Sequence, residues 1–144
     1  MAETMRTTSG PIALARRPLY AMLLLVPVIC FLGALLTDLS YLRSDGNLLW
    51  LNFSSWLIAT GLLFGGIALL VAVIDTVRGR RSFLAVGLLG AAWVVELINA
   101  FIHTRDGWTA VAGTGLILSI IGVALVLISG WLWQSLRYDR ENAR

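Results

Sequence analysis

The stretch from Leu48 to Val77, LLWLNFSSWLIATGLLFGGIALLVAVIDTV, decides the fold of this chain. It contains a single charged residue, Asp75, close to its carboxyl end. An α-helix needs about 20 apolar residues to cross the hydrocarbon core of a bilayer. The stretch is longer than that, and it therefore predicts a membrane-spanning helix rather than a helix of a water-soluble core.

Three similar stretches accompany it, so the predicted helices cover about 18–42, 48–77, 83–104 and 111–136. With 58% hydrophobic and 13% charged residues, 144 residues cannot hide their apolar surface in a soluble domain. Short connections make consecutive helices antiparallel. We predict an all-α, integral membrane four-helix up-down bundle over residues 16–136, with a flexible cytoplasmic lead-in at 1–15 and a cytoplasmic tail at 137–144.

Arginines dominate the basic residues, and nine of the eleven would lie on one side of the membrane. That side carries Arg6, Arg16, Arg17, Arg78, Arg80, Arg81, Arg137, Arg140 and Arg144, and the other side carries Arg43 and Arg105. Positively charged short loops stay in the cytoplasm, so both termini are predicted inside. The net charge of +3 does not indicate nucleic-acid binding, because the arginines form no stripe on one surface.

Small residues spaced four apart predict where helices pack closely. Gly61 and Gly65 lie on the second helix, Gly87 precedes Ala91 on the third, and Gly115 precedes Ser119 on the fourth. Such pairs let helix backbones approach each other in lipid, where the hydrophobic effect does not drive helix association. They serve contacts within the bundle, and they also favour a homo-oligomer or a membrane-protein partner.

Polar residues within the spans mark the candidate ligand site. Glu96, Asn99 and His103 follow one another at intervals of three and four residues, which places them on one face of the third helix. Asp38 lies near the outer end of the first helix, at a depth that water or lipid headgroups reach. Hydroxyls and amides at comparable depth are candidates to face the same pocket: Asn52, Ser54, Ser55, Thr109 and Thr114.

Two interpretations of Glu96 stay open at this point. A protonated or hydrogen-bonded Glu96 can simply fix the register between helices. Alternatively, Glu96 belongs to a site for an ion, a proton or a polar ligand, since intramembrane ionisable residues often mark such pathways. For His103 the expectation is a solvated imidazole at the membrane interface, because one ring cannot form a metal site alone.

No cofactor, metal site or intrinsic catalytic activity is predicted. One histidine, one cysteine and three methionines cannot supply bis-histidine haem ligation or a usual transition-metal shell. No glycine-rich phosphate loop follows a strand, and no nucleophile, base and orienting group occur together.

The run Arg17 to Leu23, RPLYAML, followed by Pro27 and Asp38, resembles a bacterial membrane family known as domain of unknown function twenty-two thirty-one. Gly61, Asp75 and the segment from Leu118 to Leu132 continue the resemblance, which covers roughly residues 17–135. The resemblance implies a four-helix membrane domain of a bacterial cytoplasmic (inner) membrane. It does not imply a reaction.

The chain departs from that family at its histidines. The family pattern has histidines where this chain carries Arg17, Tyr20 and Leu25, and a further one at the start of helix three, which reads Arg81-Ser82-Phe83 here. If those histidines bind a metal or haem in relatives, this chain lacks the ligands.

Three hypotheses of function follow. The first is a non-catalytic inner-membrane protein that serves as an interaction, anchoring or accessory subunit. The second is a small transport or sensing protein that binds a cation, a proton or a lipid-like ligand at an outward-facing polar site formed by Glu96, Asn99, His103 and Asp38. The third is haem-based electron transfer.

Overall fold

A computed structural model describes residues 11–79, 82–105 and 111–142 of the chain. It contains four α-helices and one π-helical turn: α1 (Pro11–Arg43), α2 (Leu48–Val77), α3 (Phe83–His103), the π-helical turn (Val111–Gly115) and α4 (Leu116–Asn142). The described residues form no β-strand. All four helices are long and apolar enough to cross a membrane. The predicted all-α four-helix membrane bundle is therefore confirmed.

The first and last helices extend beyond their apolar parts. The apolar part of α1 begins at Tyr20, yet the helix begins at Pro11, within the segment predicted as a flexible lead-in. Proline is tolerated in the first turn of a helix because its missing N–H needs no partner there. At the other terminus α4 continues to Asn142, past the predicted end near residue 136. Residues 1–10 lie outside the described part.

Two connections lie at one end of the bundle, which we call the two-loop end. Here α1 ends at Arg43 and α2 begins at Leu48, and α3 ends near the start of the π-helical turn. Gly46 has a φ of 81°, a left-handed conformation that glycine adopts without steric cost. The Asn47 side chain then accepts a hydrogen bond from the Leu49 N–H at 3.0 Å and caps α2. We call the opposite end, where α2 meets α3, the termini end.

Each helix contacts the two helices next to it in a ring, because α1 packs on α2 and α4, and α3 packs on α2 and α4. Large apolar side chains face outward, among them Trp56 at 70% exposure and Leu63 at 63%. The interior is filled by small residues such as Ala34 and Ala68, both fully buried. Apolar side chains outside and small or polar ones inside are the arrangement expected for a bundle surrounded by lipid.

Two of the four predicted packing glycines lie where α1 meets α2. A side chain at Gly61 would overlap the Phe31 ring, and a Cβ at Gly65 would lie 3.4 Å from Pro27. Gly115 is buried at the end of the π-helical turn.

Gly87 differs from the other three glycines. It is exposed, and a Cβ at this position would meet nothing within 4 Å in the described part of the chain. Gly87 therefore does not bring two helices of this chain together, because it lies on the face of α3 that points away from the bundle.

Candidate functional site

Six polar side chains from all four helices form one buried network in the half of the bundle next to the two-loop end. Five of them are 0% exposed and the sixth, His103, is 4% exposed. They are Asp38 on α1, Ser54 on α2, Glu96, Asn99 and His103 on α3, and Ser119 on α4. The structure thus brings the four predicted site residues together with Ser54, which was a candidate for the same pocket, and with Ser119, which was not.

Asp38 is the centre of the network. Ser54 Oγ donates a hydrogen bond to its Oδ1 at 2.5 Å, and Ser119 Oγ donates to its Oδ2 at 2.6 Å. His103 Nε2 lies 3.0 Å from Asp38 Oδ1. One carboxyl group of α1 therefore contacts the other three helices. The expectation that water or headgroups reach Asp38 is wrong, because these three helices enclose it completely.

His103 is held at both ring nitrogens. Its Nδ1 lies 3.0 Å from the backbone oxygen of Asn99, and because a carbonyl oxygen only accepts, Nδ1 carries a hydrogen. Its Nε2 then faces Asp38 Oδ1, a contact that needs one proton on one of the two atoms. The expected solvated imidazole is wrong, since the ring turns inward to these partners.

The ion-pair form of this contact satisfies the most hydrogen bonds. Asp38 already accepts two hydroxyl hydrogens, which suits a carboxylate, and an imidazolium donates from both nitrogens. The tautomer and charge are assigned here from the hydrogen-bond partners. The pair is neutral as a whole, which lowers the cost of placing it at membrane depth.

Asn99 links this pair to Glu96. Its Nδ2 donates to Ser119 Oγ at 2.9 Å and to Glu96 Oε2 at 3.1 Å, so both amide hydrogens are in use. Two oxygens at this inner end of the network, Glu96 Oε1 and Asn99 Oδ1, are buried and have no hydrogen-bond partner among the described residues. Buried polar atoms without a partner are rare in folded proteins, and they often mark a missing ion, water or proton.

Gly122 on α4 provides the space for the Glu96 carboxyl group. An added Cβ at Gly122 would overlap that carboxyl, so the glutamate fills the volume that a side chain would otherwise occupy. Sequence reasoning missed Gly122, and it assigned Ser119 to packing with Gly115. A usable signal existed for Ser119, because it lies about as far from the start of the fourth span as Glu96 lies from the end of the third.

The remaining polar candidates lie apart from the network. Asn52 and Thr114 are exposed, and Ser55 donates to the backbone oxygen of Leu51 in its own helix at 2.9 Å. Thr109 lies outside the described residues. Within the described ranges, no three His, Cys, Asp or Glu side chains are grouped so that they could hold a metal ion.

Toward the termini end the core becomes apolar. Tyr20, Phe31, Leu89 and Val126 belong to one buried hydrophobic cluster. Two buried hydroxyls of this half donate to backbone oxygens, Thr76 to Ala72 and Ser129 to Ala85, each at 2.8 Å. The hydrogen bonds that join the six polar side chains end at Glu96, whose Oε1 has no hydrogen-bond partner among the described residues.

Comparison with known families matches residues 16–141 to the family described as "Predicted membrane protein (DUF2231)". The chain belongs to this family. No curated protein and no solved structure matches the chain. Membership of DUF2231 and the four membrane-length helices together identify a multi-pass membrane protein.

Proposed function

We propose that this DUF2231 protein is a small, non-catalytic proton sensor of a bacterial cytoplasmic (inner) membrane. The observation that carries this proposal is the contact between His103 Nε2 and Asp38 Oδ1, whose two atoms lie 3.0 Å apart, a distance at which they share one hydrogen-bonding proton. Histidine is the side chain whose charge ordinarily changes near physiological pH. A change in the proton occupancy of this pair is the event that the protein reports.

The proton of the pair is tied to helix packing. Asp38 connects α1 to α2 through Ser54 and to α4 through Ser119. When the proton leaves, a carboxylate oxygen and a ring nitrogen lone pair face each other and repel. The contact of α1 with α3 then weakens, and the helices adjust around Asp38. Buried networks of this kind respond to the loss of a single member because their hydrogen bonds depend on one another.

The direction of access favours sensing over transport. The arginine distribution predicts that the two-loop end faces outside and that both termini face inside. His103 is the last residue of α3 at that end. Beyond Glu96 the described core contains the hydrophobic cluster of Tyr20, Phe31, Leu89 and Val126, and the hydroxyls of Thr76 and Ser129 donate to backbone oxygens. A proton that moves from Glu96 to the inside would have to cross this cluster, which favours sensing over transport.

The test uses the fact that His103 is the only histidine of the chain. In oriented liposomes we expect the ¹⁵N NMR signals of the His103 ring to change when the outside pH is varied over about 5–8. The same signals should not change when the inside pH is varied. Asp38→Asn should shift the pH at which the signals change. Signals that stay constant, or that follow the inside pH, would contradict the proposal. Proton flux into liposomes that Asp38→Asn abolishes would establish transport instead.

A second role, as an interaction or accessory subunit, is favoured by the open surface around Gly87. Gly87 and Ala91 are exposed on α3, where a helix of a second copy or of another membrane protein can approach closely. We expect native mass spectra after gentle extraction to contain a homo-oligomer or a stoichiometric partner, which Gly87→Leu reduces. Gly113→Leu is the matched control, because Gly113 is also exposed and an added Cβ would meet nothing within 4 Å among the residues that the structure describes. A wild-type monomer without partner would contradict this role.

A further inference from the structure

We propose that Glu96 and Asn99 form a second, deeper site that binds one small cation, either a proton or a sodium-sized monovalent ion. The proposal rests on the proposed function, because the same network supplies both sites. It starts from two atoms, Glu96 Oε1 and Asn99 Oδ1, which are fully buried and lack a hydrogen-bond partner among the described residues. Both are oxygens, so the missing species is one that oxygen lone pairs bind.

Charge decides what that species is. The pair of Asp38 and His103 is neutral as a whole, so an ionised Glu96 leaves one uncompensated negative charge in the network. A charged carboxylate at membrane depth is costly unless it is paired or neutralised. Its neighbours supply one donor, the Asn99 Nδ2 at 3.1 Å. A bound proton or monovalent cation cancels the charge, and carboxylate and amide oxygens are the ligands that hard cations prefer.

The groups that face Glu96 do not cancel its charge in another way. Across the described residues of the network, the titratable groups are Asp38 from α1 and His103 from α3 itself. The second and fourth helices contribute hydroxyls, from Ser54 and Ser119, together with Gly122. No lysine occurs in the chain, whose basic residues other than the histidine are all arginines.

Asn99 separates the two sites. Both hydrogens of its amide are donated, one to Ser119 and one to Glu96. A carboxamide does not pass a proton along unless it gives up one of these hydrogens, whereas hydroxyl and imidazole groups exchange protons readily. No proton therefore passes directly between Glu96 and the Asp38–His103 contact. The charge of each site still affects the other through space.

Gly122 is a positioning residue for this site. Because a Cβ at Gly122 would overlap the Glu96 carboxyl, even a methyl group must push the carboxyl away from its present place. Gly130 on the same helix provides the matched control, because an added Cβ there would meet nothing within 4 Å in the described ranges.

The experiment follows the infrared C=O stretch of a protonated carboxylic acid, which a carboxylate lacks. Full-length protein in liposomes is compared with Glu96→Gln, and the difference isolates Glu96. In sodium-free choline buffer we expect an acid band at low pH. Loss of this band on raising the pH identifies the proton as the cation. If the acid band disappears at a lower pH in NaCl than in choline chloride, sodium competes with the proton for the same site.

Two results would overturn the site. One is an acid band that persists at every pH and in NaCl, since Glu96 would then be a permanently neutral structural group. The other is a Glu96 side chain that remains a carboxylate at every pH and whose infrared bands do not change in NaCl. The His103 signals are recorded on Glu96→Gln in parallel. If they still respond to outside pH while the Glu96 band never changes, the proposed function stands and the deeper site falls.

Gly122→Ala should abolish the pH or sodium response of the Glu96 band, and Gly130→Ala should leave it as in the wild type. If Gly122→Ala does not fold, the double variant Gly122→Ala with Glu96→Asp tests the same point, because the shorter acid frees the space that the methyl group needs. Recovery of folding by the double variant supports the assigned role of Gly122. A Gly122→Ala protein with an unchanged response would contradict it.

Discussion

The two halves of this bundle hold their helices together by different means. Next to the two-loop end, side chains donate directly to side chains across helices, with Asp38 at the centre. Toward the termini end, ring and small apolar side chains fill the core, and hydroxyls donate to backbone oxygens. One small membrane bundle can thus join its helices by hydrogen bonds between side chains in one half and by apolar packing in the other.

The physical basis is the membrane itself. Lipid is as apolar as leucine, so burying apolar surface does not drive helices together there. In the middle of the bundle and toward the termini end, shape must do this, as where Phe31 fills the space over Gly61 or where the Tyr20 and Trp133 rings lie 5.6 Å apart. In the other half, hydrogen bonds specify which helix faces which.

Removing the centre of the network should have the largest effect on stability. Asp38→Ala deletes the carboxylate that both serines donate to and removes the acidic partner of His103 Nε2. Breaking a buried pair in this way costs about 3 kcal/mol. The free energy of unfolding in mixed detergent micelles measures it. Asn52→Ala is the control, since Asn52 is an exposed polar residue of α2. Equal losses in the two variants would mean that the network does not hold this half together.

Packing by shape is tested at a glycine in the middle of the bundle. Gly61→Ala places a methyl group into the Phe31 ring, whereas Gly87→Ala meets open space. Both changes bring the same gain in helix propensity. The difference between their unfolding free energies therefore isolates the overpacking against Phe31, which we expect to cost about 2 kcal/mol. The unfolding free energies of the two variants supply the comparison. If Gly61→Ala were no less stable than Gly87→Ala, close approach of α1 and α2 would not be the source of stability here.

Two serines on α4 compare the halves directly. Ser119→Ala removes two side-chain hydrogen bonds, and Ser129→Ala removes one to the backbone oxygen of Ala85. Each hydrogen bond within a membrane contributes about 0.6 kcal/mol. We therefore expect the free energy of unfolding to fall by about 1 kcal/mol in Ser119→Ala and by about 0.6 kcal/mol in Ser129→Ala. The ¹⁵N signals of His103 separate the two variants more sharply: they should shift in Ser119→Ala and stay unchanged in Ser129→Ala. A shift in both would show that the halves are coupled.

The smallest effect is expected at the contact of α2 with α3. Trp93 Nε1 donates to the backbone oxygen of Leu62 at 2.9 Å, and Trp93→Phe removes this bond for about 0.6 kcal/mol. Trp131→Phe is the control, because Trp131 is 69% exposed. The pH response of His103 should be the same in both variants. A changed pH response in Trp93→Phe would extend the proton-dependent network beyond the six residues described above.

Local patterns in the sequence predicted a large part of this molecule. Long apolar runs gave the four helices, because the thickness of a bilayer sets a minimum length for a spanning segment. The intervals of three and four residues placed Glu96, Asn99 and His103 on one face, because the helical period is fixed. The family resemblance, carried by motifs such as the one from Arg17 to Leu23, was confirmed as well.

Only the tertiary structure decided which faces meet. It buried Asp38 between three helices, brought Ser119 and Gly122 of α4 against the polar face of α3, and left Gly87 outside. The sequence could not predict these outcomes, since the rotation of each helix about its axis depends on contacts with residues far away in the chain. Helix length and helical period are properties of one segment, whereas the partner of a buried polar atom is a property of the whole bundle.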